Sequence, residues 1–389
     1  MAILNFTGFE QGTVLSTQGS DDYQPFASSG GSVQSTIKKN GSYAAEFDKV
    51  TTATPYVAFP IGYQSNGIVT NDANILTCYF TGYFRYATKP ATGNDTVWNM
   101  QGGGNDMLSL NLASDGTLKL YKGTTGSQVL LGTSSTALSQ DTWYRIGIKV
   151  VAGSSGSYEL KINGTSEISG STDWDSNAPA LNIPYLGNRY DRNSLSFKFY
   201  WDDVVADDTS YIDVDYAVGV LKPNADGSTM SWANGTGASD YTQVDEIPID
   251  TADYVQSPTS GNPNVALFNF QSRSDAGISN GTIYGIKAVV IHRENSSVVS
   301  ATLIRVRSSS TNSDSGTLNG TTSTQGRNRV LANDPATGSA WSNSAIDAIE
   351  AGLVENNAVA IRGISAMVYI LYAISTASPQ NSNFLQFMQ

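Results

Sequence analysis

Apolar and polar residues alternate with a period of two along most of this chain, and no helix-period segment of useful length precedes residue 340. A period of two sends successive side chains to opposite faces of an extended strand, so the pattern commits the chain to half-buried β-strands. In residues 107–121, Leu108, Leu110 and Leu112 alternate with Ser109 and Asn111. Asp115-Gly116 supplies a turn, and Leu118 and Leu120 resume the alternation around Lys119. In residues 143–168, Tyr144, Ile146, Ile148 and Val150 share one face, opposite Arg145 and Lys149. After a Gly/Ser loop, Tyr158, Leu160 and Ile162 alternate with Glu159 and Lys161, and Asn163-Gly164 follows. An Asn-Gly pair suits a type I′ hairpin turn, in which both central residues need positive φ. In residues 195–205, Leu195, Phe197, Phe199 and Trp201 oppose Ser196, Lys198, Tyr200 and Asp202.

The pattern predicts an all-β chain of antiparallel sheets packed face to face as sandwiches. With 389 residues the chain exceeds a single sandwich, whose usual upper size is about 250 residues. The expected organisation is a β-sandwich over residues 1–210, a second jelly-roll-like β domain over 211–374, and a polar C-terminal arm over 375–389. The Asp-rich residues 202–215 read as the junction. Beyond it, strands are expected at 216–221, 265–271, 282–292, 298–307 and 359–374. Residues 308–326 are nearly devoid of apolar side chains and read as a long loop. One short helix is expected, capped by Ser342 or Ser344, with Ile346 and Ile349 on its apolar side and Gly352 at its end. The arm ends Phe384-Leu385-Gln386-Phe387-Met388, which reads either as a docking element or as a frayed end.

Composition narrows the chemistry. Charged residues are only 14% of the chain and the net charge is −12, which disfavours binding through nucleic-acid phosphates. One Cys and one His exclude a disulfide framework and zinc sites of the Cys/His type,. Cys78 lies in a strand-like run and reads as a small core residue. His292 reads as a strand-terminal surface residue, and Gly102-Gly103-Gly104 as a flexible turn without the context of a phosphate loop. No basic segment precedes an apolar one at the N-terminus, so no secretory signal is read. The apolar run at 364–374 is about half the ~20 residues of a membrane helix.

The acidic residues Asp202, Asp203, Asp207 and Asp208 offer hard oxygen ligands, which makes calcium the one metal considered, with Asp202 and Asp203 as its candidate ligands. Acidic loop solvation is the default reading of the same stretch. No Glu-x-Asp-x-Glu run supplies paired catalytic carboxylates. Sugar-stacking candidates are the aromatics in loop-like settings, Trp98, Trp174, Tyr185 and Tyr190, with Asp191, Asn182 and Asn188 nearby. The competing reading places these rings at the edges of the core.

Two sets of residues carry family resemblances. Residues 141–150 (DTWYRIGIKV), 158–164 (YELKING) and 197–204 (FKFYWDDV) resemble the laminin-G/concanavalin A-like lectin-glucanase superfamily over residues 1–210. Residues 3–10 (ILNFTGFE), 334–341 (DPATGSAW), the 346–352 segment and the 366–372 strand are similar to structural proteins of tailed bacteriophages. These resemblances imply a lectin-like sandwich displayed on a virion surface and made in the host cytoplasm. The expected role is a non-enzymatic structural protein, either a capsid decoration or a fibre-like component of head or tail. The alternative is a receptor- or carbohydrate-binding module, with a glycan hydrolase third. Expected partners are other virion proteins, further copies of this chain and a host-surface glycan. Neither nucleic acid nor membrane is expected. With no coiled-coil heptads, assembly would use sandwich faces.

Overall fold

The computed structural model describes residues 3–12, 26–28, 31–50, 54–59, 61, 64–65, 68–69, 75–102, 105–123, 128–174, 181–187, 195–233, 240–294, 301–319 and 322–374. Among the described residues the fold is all-β, with antiparallel sheets and, in the second half, one short α-helix and one 3-10 turn at Asp240–Gln243. Sheet I runs Val129–Ala137, Thr117–Lys122, Asn105–Ala113, Asn94–Gly102, Leu181–Gly187, Tyr56–Ala58, Phe26–Ser28. Sheet II runs Thr165–Thr172, Gly156–Ile162, Tyr144–Val151, Thr77–Tyr86, Phe197–Asp207, Ala44–Lys49, Gly31–Gln34, and Ile3–Thr7 also pairs with Phe197–Asp207. Sheet III runs Tyr216–Leu221, Ile361–Ala373, Ile283–Glu294, Gln325–Leu331, with Val255–Gln256 beside Ile361–Ala373. Sheet IV runs Pro223–Met230, Asn264–Phe270, Glu350–Glu355, Ala301–Ser308, Thr311–Asp314, with Leu318–Asn319 on Ala301–Ser308.

The four sheets stack in that order. Sheets I and II enclose a core that includes Trp98, Leu110, Phe80, Phe84, Phe199 and Trp201. Sheets III and IV enclose a second core that includes Ile286, Val290, Val368, Phe268 and Leu353. Between sheets II and III lies a third apolar layer, in which Ile3, Phe6, Tyr83 and Val205 meet Tyr216, Val218, Val289, Met367, Tyr369 and Leu371. The strand Ile361–Ala373 shows how sequence produces this layer. Ala366, Val368 and Ile370 enter the second core, while Met367, Tyr369 and Leu371 face the first sandwich. A strand covered on both faces is apolar at nearly every position, which accounts for the apolar run at 364–374, interrupted by the buried Ser365.

The hairpin reading of residues 143–168 is realised. Ile162 pairs with Thr165 across Asn163-Gly164, and Asn163 adopts φ 51° and Gly164 φ 88°.

Elsewhere the structure departs from the sequence reading. Residues 202–207 are the buried end of the strand Phe197–Asp207 rather than a solvated junction. Residues 308–326 hold a tight hairpin with Ser308 opposite Thr311 and Ser309 at φ 55°. This edge hairpin carries Thr311, Asn312 and Asp314 exposed, and such residues give no apolar alternation to detect. The helix spans Asn343–Asp347, and the Ser342 side chain accepts from Ala345 N–H at 3.1 Å. Gly352 does not end it but lies in the strand Glu350–Glu355. There a Cβ would stand 1.9 Å from the Ala266 carbonyl oxygen. His292 is fully buried, and burial pushes its imidazole down to about 3, with Arg327 adding to the shift. It is therefore a neutral interior residue and not a surface one. Cys78 is buried in the first core, and burial raises its thiol pKa. Among the described residues no helix is long and apolar enough to cross a membrane.

Candidate functional site

The strand Ile3–Thr7 ends beside the layer between the sandwiches, and the chain turns there at Phe9, which holds φ 61°. A bulky residue in the left-handed region is strained, and such strain concentrates at sites whose geometry matters. The turn delivers Glu10 into the seam, where it is 3% exposed. Its carboxylate accepts from Ser42 N–H at 3.1 Å (Oε1) and 2.9 Å (Oε2), and from Tyr43 N–H at 3.4 Å. Gly41, at φ 59°, makes this cradle possible. A Cβ there would stand 2.0 Å from Glu10 Oε1.

Behind Glu10 sit two more carboxyls. Asp202 and Asp203 occupy a β-bulge where the register against Thr77–Tyr86 shifts, and Asp203 takes φ 45°. The bulge turns both carboxyls inward, and each oxygen is engaged. Asp202 Oδ2 accepts from Lys39 N–H at 2.7 Å, and Asp202 Oδ1 from Asp203 N–H at 2.8 Å. Asp203 Oδ2 accepts from Asn40 Nδ2 at 2.6 Å, and Asp203 Oδ1 from Val218 N–H at 2.9 Å. The last bond crosses from one sandwich to the other, as does the Tyr216 hydroxyl, which donates to the Asp203 carbonyl at 2.6 Å.

These groups titrate abnormally. Burial pushes the Glu10 carboxyl up to about 8, and the charge of Asp203 adds to the shift. Burial raises Asp203 to about 7 and Asp202 well above the usual carboxylate range, with Asp203 beside Asp202 adding to the latter. On the other side of the seam Lys287 is fully buried. Its ammonium donates to the Phe6 carbonyl and to Asn5 Oδ1, and lies over the rings of Phe6 and Tyr369. Burial pushes it down to about 7.

Glu10 also forms part of the wall of a cleft of about 340 Å³ between the sandwiches. Ser42 and Tyr43 line it from the first sandwich. Val220, Lys222, Ile247, Gln271, Asp275 and Ala276 line it from the second. The wall combines an acid, an amide, hydroxyls, an amine and a second carboxyl with a ring and aliphatic carbons. It suits a small ligand with both polar and C–H faces.

The residues singled out from sequence lie elsewhere. Trp98 is fully buried against Phe80, and its ring offers no face to solvent. Trp174 is 5% exposed and packs edge-on to Tyr158. Tyr185 is 5% exposed, meets Tyr56 edge-on and donates its hydroxyl to Gln101 at 3.2 Å. These three are interior rings, so stacking a sugar on them is corrected to core packing. Tyr190, Asp191 and Asn188 lie outside the described residues, as does the arm at 375–389. Calcium does not fit Asp202 and Asp203. A calcium ion takes 6–8 oxygen ligands, whereas these four carboxylate oxygens already accept N–H groups in a closed interior. Among the described residues no three acidic, His or Cys side chains converge to hold a metal. Sequence reasoning missed Glu10 because its hydrogen-bond partners lie at Ser42 and Tyr43, and the facing cleft wall at Lys222 and Asp275. The only local signal was a Glu-Gln-Gly turn following a buried strand.

No protein-family model matches the sequence, and no curated protein matches it significantly. Among solved structures, the chain is similar to a cellulose induced protein, Cip1, at 14% identity and TM-score 0.38, covering 53% of this chain and 97% of that one. It is similar to alginate lyase Aly36B at 13% identity and TM-score 0.37, covering 53% and 95%. It is also similar to a sialidase of Trypanosoma rangeli, a mutant displaying trans-sialidase activity, at 12% identity and TM-score 0.35, covering 55% and 31%. The expectation of a non-enzyme stands corrected, since the solved structures similar to this chain include an alginate lyase and a sialidase; the likeness itself assigns no activity to this chain. Neither a strand motif nor an acidic cluster points to Glu10, a buried carboxyl at the cleft wall whose pKa burial raises.

Proposed function

We propose that the chain is a surface protein of a tailed-phage virion that engages a glycan in the cleft between its two sandwiches. The observation that carries the glycan part is the cleft itself, about 340 Å³ with a mixed lining from both sandwiches. A saccharide presents hydroxyls that both donate and accept, and C–H faces that prefer rings and aliphatic carbons. Glu10, Gln271, Lys222, Asp275 and the Ser42 and Tyr43 hydroxyls meet the first need. Tyr43, Val220, Ile247 and Ala276 meet the second. The apolar layer between sheets II and III supports a fixed cleft geometry, because a large apolar interdomain contact opposes relative motion,. The virion setting is supported by the phage-like residues 3–10 and 334–341.

The test is calorimetric titration of the full chain with a panel of neutral and acidic oligosaccharides, beside Lys222→Ala and Tyr43→Ala. Reducing-end release is followed in the same samples. Saturable binding weakened by both variants supports the reading, and binding indifferent to both overturns it. Should reducing ends appear, Glu10 is the group placed to give a proton to the leaving oxygen. Labelling purified particles with antibody to this chain tests the virion setting.

A further inference from the structure

We propose that Lys49 and Asp95 join their side chains through an amide bond, a covalent strut between the two sheets of the first sandwich.

The two residues reach each other from opposite sheets. In the strand Ala44–Lys49 of sheet II, period two puts Ala45, Phe47 and Lys49 on one face, and Ala45 and Phe47 belong to the first core,. Lys49 stands opposite Phe197 in the neighbouring strand, with Nζ 6.0 Å from the centre of that ring. In the strand Asn94–Gly102 of sheet I, Asp95 pairs with Leu112, another member of the same core. Both side chains are fully buried, and Lys49 Nζ meets Asp95 Oδ2. The second oxygen, Oδ1, accepts from Thr96 N–H at 2.8 Å. Other ion pairs of this chain are built differently. Asp215 beside Arg145 and Asp213 beside Lys161 leave their carboxylates half exposed. An ammonium and a carboxylate enclosed among apolar side chains both give up their hydration for one contact, which is costly. Condensation removes both charges.

The reaction consumes nothing beyond the pair. One proton passes from Nζ to Oδ2, leaving an amine and a carboxylic acid. The nitrogen lone pair attacks Cγ, the N–C bond forms, and the negative charge collects on Oδ1, where the Thr96 N–H holds it. A second proton passes from nitrogen to Oδ2, the Cγ–Oδ2 bond breaks, and one water leaves as the Oδ1 carbonyl re-forms. The fold supplies proximity, and well-oriented intramolecular reactions reach effective molarities of roughly 10⁵–10⁸ M. With a single Cys the chain has no internal disulfide. The amide closes a loop between positions 46 apart and restricts the unfolded chain as a disulfide would,.

Intact-mass spectrometry of the full chain, aged after purification and then denatured, reads the bond directly. The wild type is expected one water lighter than its sequence, whereas Lys49→Met, and Lys49→Met combined with Asp95→Leu, carry their full sequence masses. Mass is read on denatured chains, so a variant that folds poorly still serves as the reference. Fragmentation of the digested wild type is expected to place the lost water on a branch joining residues 49 and 95. On a reducing, denaturing gel the wild type, with its closed loop, should migrate faster than the double variant. A wild type at its full sequence mass overturns the proposal and leaves the two residues as an ion pair. Water loss that persists in Lys49→Met, or that maps to a succinimide at Asp115-Gly116, overturns it as well.

Discussion

Replacing Lys287 by Met isolates the electrostatics of the seam. Lys287 is fully buried between the sandwiches, and no carboxylate stands among its hydrogen-bonding partners, which are the Phe6 carbonyl and Asn5 Oδ1. Burial lowers its pKa from 10.5 to about 7. The Phe6 carbonyl and the ring faces of Phe6 and Tyr369 favour the ammonium, at 5.4 and 5.1 Å, but burial prevails. Between pH 10.5 and about 7 the unfolded chain therefore holds a proton on this group that the folded chain lacks. Folded stability then rises with pH through that window and is lost as pH falls. At 1.36 kcal/mol per pKa unit, the wild type loses about 2 kcal/mol on going from pH 9 to pH 7 through this group. Met fills a similar volume without a charge, so Lys287→Met lacks the loss. Glu10, Asp202 and Asp203 are common to both proteins and cancel in the difference. Urea unfolding of both at pH 7, 8 and 9 reads the effect directly. The variant should gain about 2 kcal/mol on wild type between pH 9 and pH 7, with unchanged m-values. A difference constant across the three pH values would show that the ammonium stays charged in the fold and would refute the reasoning.

Three further outcomes follow from packing. Tyr369→Ala removes one of the tyrosine rings buried in the interdomain layer and should cost about 3–5 kcal/mol in denaturant unfolding. An effect below about 1 kcal/mol would mean the sandwiches are not held together by that layer. Gly352→Ala puts a Cβ against the Ala266 carbonyl and should sharply lower soluble yield and melting temperature; a wild-type melting curve would contradict the strand register. Trp174→Ala should destabilise the first sandwich by a few kcal/mol yet leave saccharide affinity within twofold when assayed below its melting point, and selective loss of binding would restore Trp174 as a ligand platform.

The sequence was most legible where local chemistry and long-range packing agree. Asn163-Gly164 needs positive φ and flanks two alternating runs, so turn and strands were readable together. Ile346 and Ile349 were readable as buried beside the helix at Asn343–Asp347. Legibility failed where a third dimension intervenes. Asp202 and Asp203 look like solvated linker residues, yet the bulge turns them under the second sandwich, where N–H groups of Lys39, Asn40 and Val218 receive them. Trp98 and Trp174 stand beside polar residues in the sequence, yet both rings are buried in the first core. The hairpin at Ser308–Thr311 has too few apolar residues to register as strand. Glu10 became a candidate only when the fold brought Ser42, Lys222 and Asp275 around it, from positions up to 265 residues away.

The most direct measurement of the central claim is a crystal structure of the full chain with the tightest neutral oligosaccharide from the panel. The account predicts sugar density in the cleft between the sandwiches, with hydroxyl or ring oxygens within hydrogen-bonding distance of Glu10, Gln271 and Lys222. Density at another surface with the cleft vacant would contradict it.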